Sequence, residues 1–178
     1  MGSLSSRCAA LLLAGGLSVG HADPQAGFGL ALAFSEHHAD VSFNPPVFER
    51  YNSHGMGLAG DAQFVINPQW SLNPYLQWAY EYSHDEAASL INASGGLTLR
   101  HWWNNVYLGP VLEYDVEGLL QNRRIVRSSF GPGLGLGLGY ESVQGLTLGL
   151  QLDAPQALYF SRNQQRTGAW LTLGYRWH

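Results

Sequence analysis

Large apolar residues alternate with small or polar ones through most of the chain, the period of two at which a strand turns successive side chains to opposite faces. The clearest stretch is residues 130–141. There Phe130, Pro132, Leu134, Leu136, Leu138 and Tyr140 share one face, while five glycines followed by Glu141 form the other. In a water-soluble sheet such a strand is weak, because glycine packs nothing against a core and loses the most backbone freedom. In a lipid-facing barrel the leucines meet acyl chains, and the bare inner face leaves room for side chains that cross a narrow lumen.

The same alternation predicts eight strands, at residues 27–35, 55–66, 75–83, 92–103, 106–117, 130–141, 146–154 and 168–177. Long polar connections are expected at 36–53, which contains Pro45-Pro46, and at 84–90, 118–129 and 155–166. Short turns are expected at Asn67-Pro68, Asn104-Asn105 and 142–145. Even strand number with alternating long and short connections gives the fold class: all-β, an eight-stranded antiparallel up-and-down transmembrane β-barrel. A soluble sandwich has no need for polar residues on one face of every strand and apolar residues on the other.

Residues 1–22 read as a secretory signal: Arg7, an apolar stretch, then Gly20-His21-Ala22 as a small-residue cleavage site. The barrel is then expected to occupy 23–178. Cys8, the only cysteine, falls in that leader, so disulfide and thiol chemistry are excluded from the barrel. All 9 basic residues are arginine and the net charge is -4, which leaves no basic patch for nucleic acid. No stretch after the leader approaches the roughly 18 apolar residues of a membrane helix.

On these strands the chain resembles the small eight-stranded outer-membrane barrels of Gram-negative bacteria, of the OmpA transmembrane domain and OmpX type. Its ending, Leu171, Leu173, Tyr175 and Trp177, is similar to the signal read by the barrel-assembly machinery, with His178 where an aromatic residue is usual. The resemblance implies a monomer in the bacterial outer membrane, exported through a cleaved leader and surrounded by outer-membrane lipid and lipopolysaccharide. No peptidoglycan-binding domain of the OmpA kind is expected, and no cofactor or metal is called for.

Buried charges need partners, so the inward positions are where chemistry is sought. Counting from the short turns places Arg100, Glu141 and Arg176 near one end, with Trp102 and Tyr107, as a polar plug. Asp61, Glu81, Glu113, Asp115, Glu117 and Asp153 are expected higher, with no inward base at their level. Water at the mouth, arginines folded in from the loops, or a cation-selective lining would each answer that acidity. Arg123, Arg124, Arg127, Arg162 and Arg166 are expected near the loops, where arginine suits lipopolysaccharide phosphates. Trp70, Trp103, Tyr175 and Trp177 below, with Tyr80, Tyr82, Tyr159 and Phe160 above, fit two interfacial belts.

Some barrels of this size modify lipid A with a His, a Ser and an acid. Ser83-His84-Asp85 supplies those types, but neighbours on a strand point apart, so no catalytic residue is assigned. His37-His38 and His54 read as loop histidines rather than metal ligands. The sequence therefore points to a non-enzymatic barrel for envelope integrity or surface interaction, with lipid A modification or a narrow cation pore as alternatives.

Overall fold

Hydrogen bonds between neighbouring strands join the alternating stretches into a closed wall. The computed structural model describes residues 24–43, 47–83, 88–121, 124–153 and 164–178, and they form eight antiparallel strands in chain order around one barrel. The strands are β1 (Gly27–Phe43), β2 (Val47–Asn67), β3 (Trp70–Ser83), β4 (Ala88–Trp103), β5 (Val106–Gln121), β6 (Arg124–Glu141), β7 (Leu146–Asp153) and β8 (Gln164–Trp177). The leader expected at 1–22 lies outside the described residues.

Following paired inward residues once round the wall shows the stagger. The circuit leaves β6 at Glu141, passes Thr147, Gly174, Ala31, Ala59, Gln77, Ser94 and Asp115, and returns to β6 at Gly131, a displacement of 10 residues. With about 3.3 Å per residue and about 4.8 Å between strands, this stagger tilts the strands by about 40° and sets a backbone radius of about 8 Å. Side chains from opposite walls meet across such a bore.

The expected faces hold, and the polarity is inverted relative to a soluble protein. Leu30, Leu32, Leu76, Leu112, Leu136, Leu148 and Leu171 are exposed outside, whereas Ser71, Asn73, Gln77, Glu81, Asn92, Arg100, Glu113 and Arg176 are buried inside. In water each exposed leucine would forgo about 1.5–3 kcal/mol of burial. Lipid removes that cost.

Aromatic residues border the apolar surface. Trp103, Tyr175 and Trp177 are exposed at the short-turn end, where Trp70 is half-buried, and Tyr80 and Tyr82 are exposed at the other. Trp70 and Tyr80 share β3; at about 3.3 Å per residue and a tilt of about 40° they stand about 25 Å apart along the axis, the height of a barrel's apolar band. Tyr159 and Phe160 lie outside the described residues.

The short turns follow the expected chemistry. Asn104 has a φ of 57° in the hairpin between β4 and β5, and Gln69 N–H donates to Asn67 Oδ1 at 2.9 Å in the turn after β2. Gly145 takes a φ of 91° in the third turn, a conformation that disfavours any side chain.

Several strands run past their expected ends. β1 and β2 stay paired from Glu36↔His54 to Phe43↔Val47, where a loop over 36–53 was expected. Of that stretch only 44–46, with Pro45-Pro46, lies outside the described residues. β5 and β6 likewise continue through 118–121 and 124–129, β4 begins at Ala88, and β8 begins at Gln164. Beyond the bilayer both faces of a strand can be polar, so the alternation that marks it fades while pairing continues to satisfy the backbone.

Leu136 is exposed outside at mid-height on β6, and Val143 is exposed in the turn below it. Replacing Leu136 with Arg is expected to cost about 2–4 kcal/mol in reversible urea unfolding from lipid vesicles, and Val143→Arg under about 1 kcal/mol. Equal costs would place the turn and mid-strand at the same depth.

Candidate functional site

Inward side chains from all eight strands converge on the lumen, and they sort into two layers. The lower layer is built on Asp61. Arg100 Nη2 and Arg176 Nη2 both donate to its Oδ2, at 2.9 and 2.6 Å, and Arg176 Nε donates to Glu141 Oε2 at 2.9 Å. Arg100 lies over the Tyr107 ring at 4.3 Å and also reaches Gln63 Oε1 at 3.3 Å. From Gln63 a chain of hydrogen bonds runs through Asn73 and Ser71 to the Trp102 indole. The short turns hold this layer: Asn105 Nδ2 donates to Glu141 O at 2.8 Å, and Arg176 N donates to Gly145 O at 2.7 Å.

Asp61 was expected high in the lumen; it lies instead among the arginines. On β2 it pairs with Gly29, which pairs with Arg176, so the stagger of the wall brings it down to their level. Two cations sharing one carboxylate, with a second carboxylate on one of them, give a charge-balanced group in a nearly dry space.

The upper layer is built on Glu81, which is 2% exposed. Ser35 Oγ donates to its Oε1 at 2.7 Å, Asn92 Nδ2 donates to the same oxygen at 3.0 Å, and Ser53 Oγ donates to Oε2 at 2.6 Å. His37 Nδ1 also lies 2.7 Å from Oε1, and its Nε2 lies 3.5 Å from Asp153 Oδ2. The imidazole meets Trp170 edge to face at 5.3 Å. Just below, Tyr75 donates to Glu113 Oε2 at 2.9 Å and Gln151 Nε2 donates to the same oxygen at 2.6 Å. Gln151 also bonds Asp153. Asp115 and Glu117 are buried further up β5.

Sequence reading missed His37 because it assigned 36–53 to a loop. It is an inward-facing base at the level of the acids, where none was expected. The usable signal was parity: His37 continues the inward series Ala31, Ala33, Ser35.

This group braces β1, β2, β3 and β4 across the upper lumen. Among the described residues Ser35 and Ser53, beside His37, give their hydroxyls to Glu81, and the outer imidazole nitrogen faces Asp153 Oδ2. Ser83 is buried facing the lumen, while His84 and Asp85 lie outside the described residues. Among the described residues no group of three or more His, Cys, Asp or Glu is placed to hold a metal ion.

Arg123 and Arg162 lie outside the described residues, as do the side chains of Arg124, Arg127 and Arg166. The backbones of these last three pair with Gln121, Leu119 and Ala39, at the end away from the short turns.

No protein-family model matches the sequence, and neither does any curated protein. Among solved structures the barrel is similar to Ail, the attachment invasion locus protein of Yersinia pestis. The identity is 12%, the match covers 86% of this chain and 100% of that one, and the TM-score is 0.59. The complex of Ail with the heparin analogue sucrose octasulfate gives a TM-score of 0.55. Neisserial surface protein A is 16% identical over 86% of this chain and 98% of its own, with a TM-score of 0.57. At these identities the likeness is one of fold, and the chain has the fold of the small eight-stranded outer-membrane barrels.

Asp61→Asn leaves two buried arginines sharing one remaining carboxylate and is expected to cost about 3–5 kcal/mol in vesicle unfolding. Ser94→Ala removes one of several donors to Glu113 and should cost about 1 kcal/mol. A loss under about 1 kcal/mol for Asp61→Asn would mean that solvent, not Asp61, carries the arginine charges.

Proposed function

We propose that this protein is a monomeric, non-enzymatic barrel of a bacterial outer membrane, exported through its leader, which acts at its outward-facing end in envelope integrity or surface interaction. The observation that carries the reading is the double crossing of the lumen. Asp61, Arg100, Arg176 and Glu141 span it below, and Ser35, His37, Ser53, Glu81 and Asn92 span it above. A bore of about 8 Å backbone radius has little space beside two such layers. What the barrel offers a partner is then its outer surface and its upper rim.

The sequence offers the arginines at 123, 124, 127, 162 and 166, expected near the loops, as the chemistry of this reading. Guanidinium binds phosphate or sulfate through paired hydrogen bonds. The Ail complex with sucrose octasulfate is a case of a barrel of this fold with a polyanionic ligand, and lipopolysaccharide phosphates are the polyanion that an outer membrane presents. Assembly through the barrel machinery fits the alternating end at Leu171, Leu173, Tyr175 and Trp177.

The test is single-channel recording of the folded protein in planar bilayers, with Glu81→Gln and Glu113→Gln alongside. Silence in all three is expected. Steady cation-selective steps that fall in the variants would replace the closed lumen with a conducting one. Lipid A recovered after expression should keep its mass profile; an acyl chain lost or gained would make the protein an enzyme.

A further inference from the structure

The outer wall has one polar interruption near its short turns. Along β4 the outward series Leu97, Leu99, His101, Trp103 sets an imidazole where apolar side chains are the rule. Among the described residues His101 is the only Asp, Glu, Arg or His turned outward on the lower half of the wall. Trp70 stands opposite it on β3, and Trp103 follows it on the same face of β4. The imidazole meets the Trp70 ring edge to face at 4.5 Å and lies 4.3 Å from the Trp103 ring. Trp103 is 55% exposed, and Trp70 marks the lower edge of the apolar band.

The two indoles fix the ring but leave its outer nitrogen unused. His101 Nδ1 is closed off without a partner, so the tautomer that buries no unmet N–H carries its hydrogen on Nε2. Neither Nε2 nor the indole N–H of Trp70 or Trp103 has an acceptor among the described residues. Three donors thus share one corner of the wall. No carboxylate stands on that face, and the turns at 67–69 and 104–105 carry no charge, so the acceptor comes from outside the protein. Water serves such donors singly; a phosphodiester, with two free oxygens and a negative charge, serves several at once. Leu72 and Leu99, paired next to Trp70 and His101 on the membrane side, give acyl chains an apolar track.

We propose that Trp70, His101 and Trp103 form a binding site for one phospholipid headgroup, whose phosphodiester accepts from His101 Nε2 and the flanking indoles. The site adds a specific lipid to the general preference of tryptophan for a membrane boundary. It rests on the barrel spanning a membrane, and it holds whatever the rim binds and whether or not the lumen conducts.

The probe is dioleoylphosphatidylglycerol, added to the folded protein in dodecyl maltoside micelles, which contain no phosphate. Monogalactosyl dioleoylglycerol is the matched lipid without phosphate, and glycerol 3-phosphate is a headgroup without chains. The six tryptophan indole N–H signals are followed by heteronuclear NMR. Those of Trp70 and Trp103 are expected to move saturably with the phospholipid and to ignore both controls. Trp177, an exposed tryptophan at the same end that packs on Tyr175 instead of a histidine, is expected to respond several-fold less. His101→Leu, apolar like its outward neighbours, should leave the barrel folded and weaken the response several-fold. His101→Arg, which restores a donor for phosphate, should recover much of it.

Signals of Trp70 and Trp103 that ignore the phospholipid overturn the proposal, and so does an equal response from Trp177, which marks a general boundary effect. A galactolipid that works as well removes phosphate from the reading. Saturation by glycerol 3-phosphate alone removes the lipid, and a response unchanged in His101→Leu, or lost equally in His101→Arg, removes the histidine.

Discussion

Lipid offers no partner to a backbone N–H or C=O, and that constraint shapes everything else here. Strands satisfy it only when the sheet closes on itself. With eight strands and a stagger of 10 residues, closure fixes a narrow bore. The wall must turn its leucines and aromatics outward, so the bore is filled by the other half of each strand, which is polar. Polar groups in a nearly dry space must then find one another. The Asp61–Arg176–Glu141 pairing is thus a late consequence of backbone chemistry at the outer wall.

Filling so narrow a tube requires large inward residues to stand beside small ones. A side-chain carbon at Gly139 would run into the Tyr107 ring, and one at Gly168 into His37. At Gly29 it would meet Asp61, and at Gly133 it would meet Glu113 and Asp115. The bare face of β6 is therefore the complement of the polar face of β5. Glycine weakens a strand intrinsically, but here it makes the space in which Tyr107 supports Arg100 and Glu113 collects its donors.

Much of this was legible from alternation alone. Where lipid lies on one side and the lumen on the other, period two is enforced, and Phe28 to Phe34 or Leu134 to Leu138 can be assigned to faces without coordinates. The signal ends where the bilayer ends, which is why alternation stops at Ser35 although β1 runs on to Phe43 with His37 inside. Heights were harder. Counting from turns treats the strands as upright, whereas tilted strands shift each pairing along the axis from one neighbour to the next. Asp61 was misplaced for that reason, while Arg100, Glu141 and Arg176, close to their turns, were placed together with little room for error. Partner choice was beyond reach: nothing in the residue pattern says that Glu81 would gather two serines, an asparagine and a histidine from three strands.

The two layers also differ in how they cohere. Below, charges balance, and the layer is fastened by turns a few residues long through Asn105–Glu141 and Gly145–Arg176. Above, Glu81 and Glu113 collect serine, asparagine, glutamine and tyrosine donors, His37 stands between Glu81 and Asp153, and Asp115 and Glu117 follow further up β5. Cohesion is therefore ionic below, and around Glu81 and Glu113 it is a matter of hydrogen bonds from side chains on several strands. The base is thereby tied to its short turns, at the end away from the long extensions of β1, β2, β5 and β6.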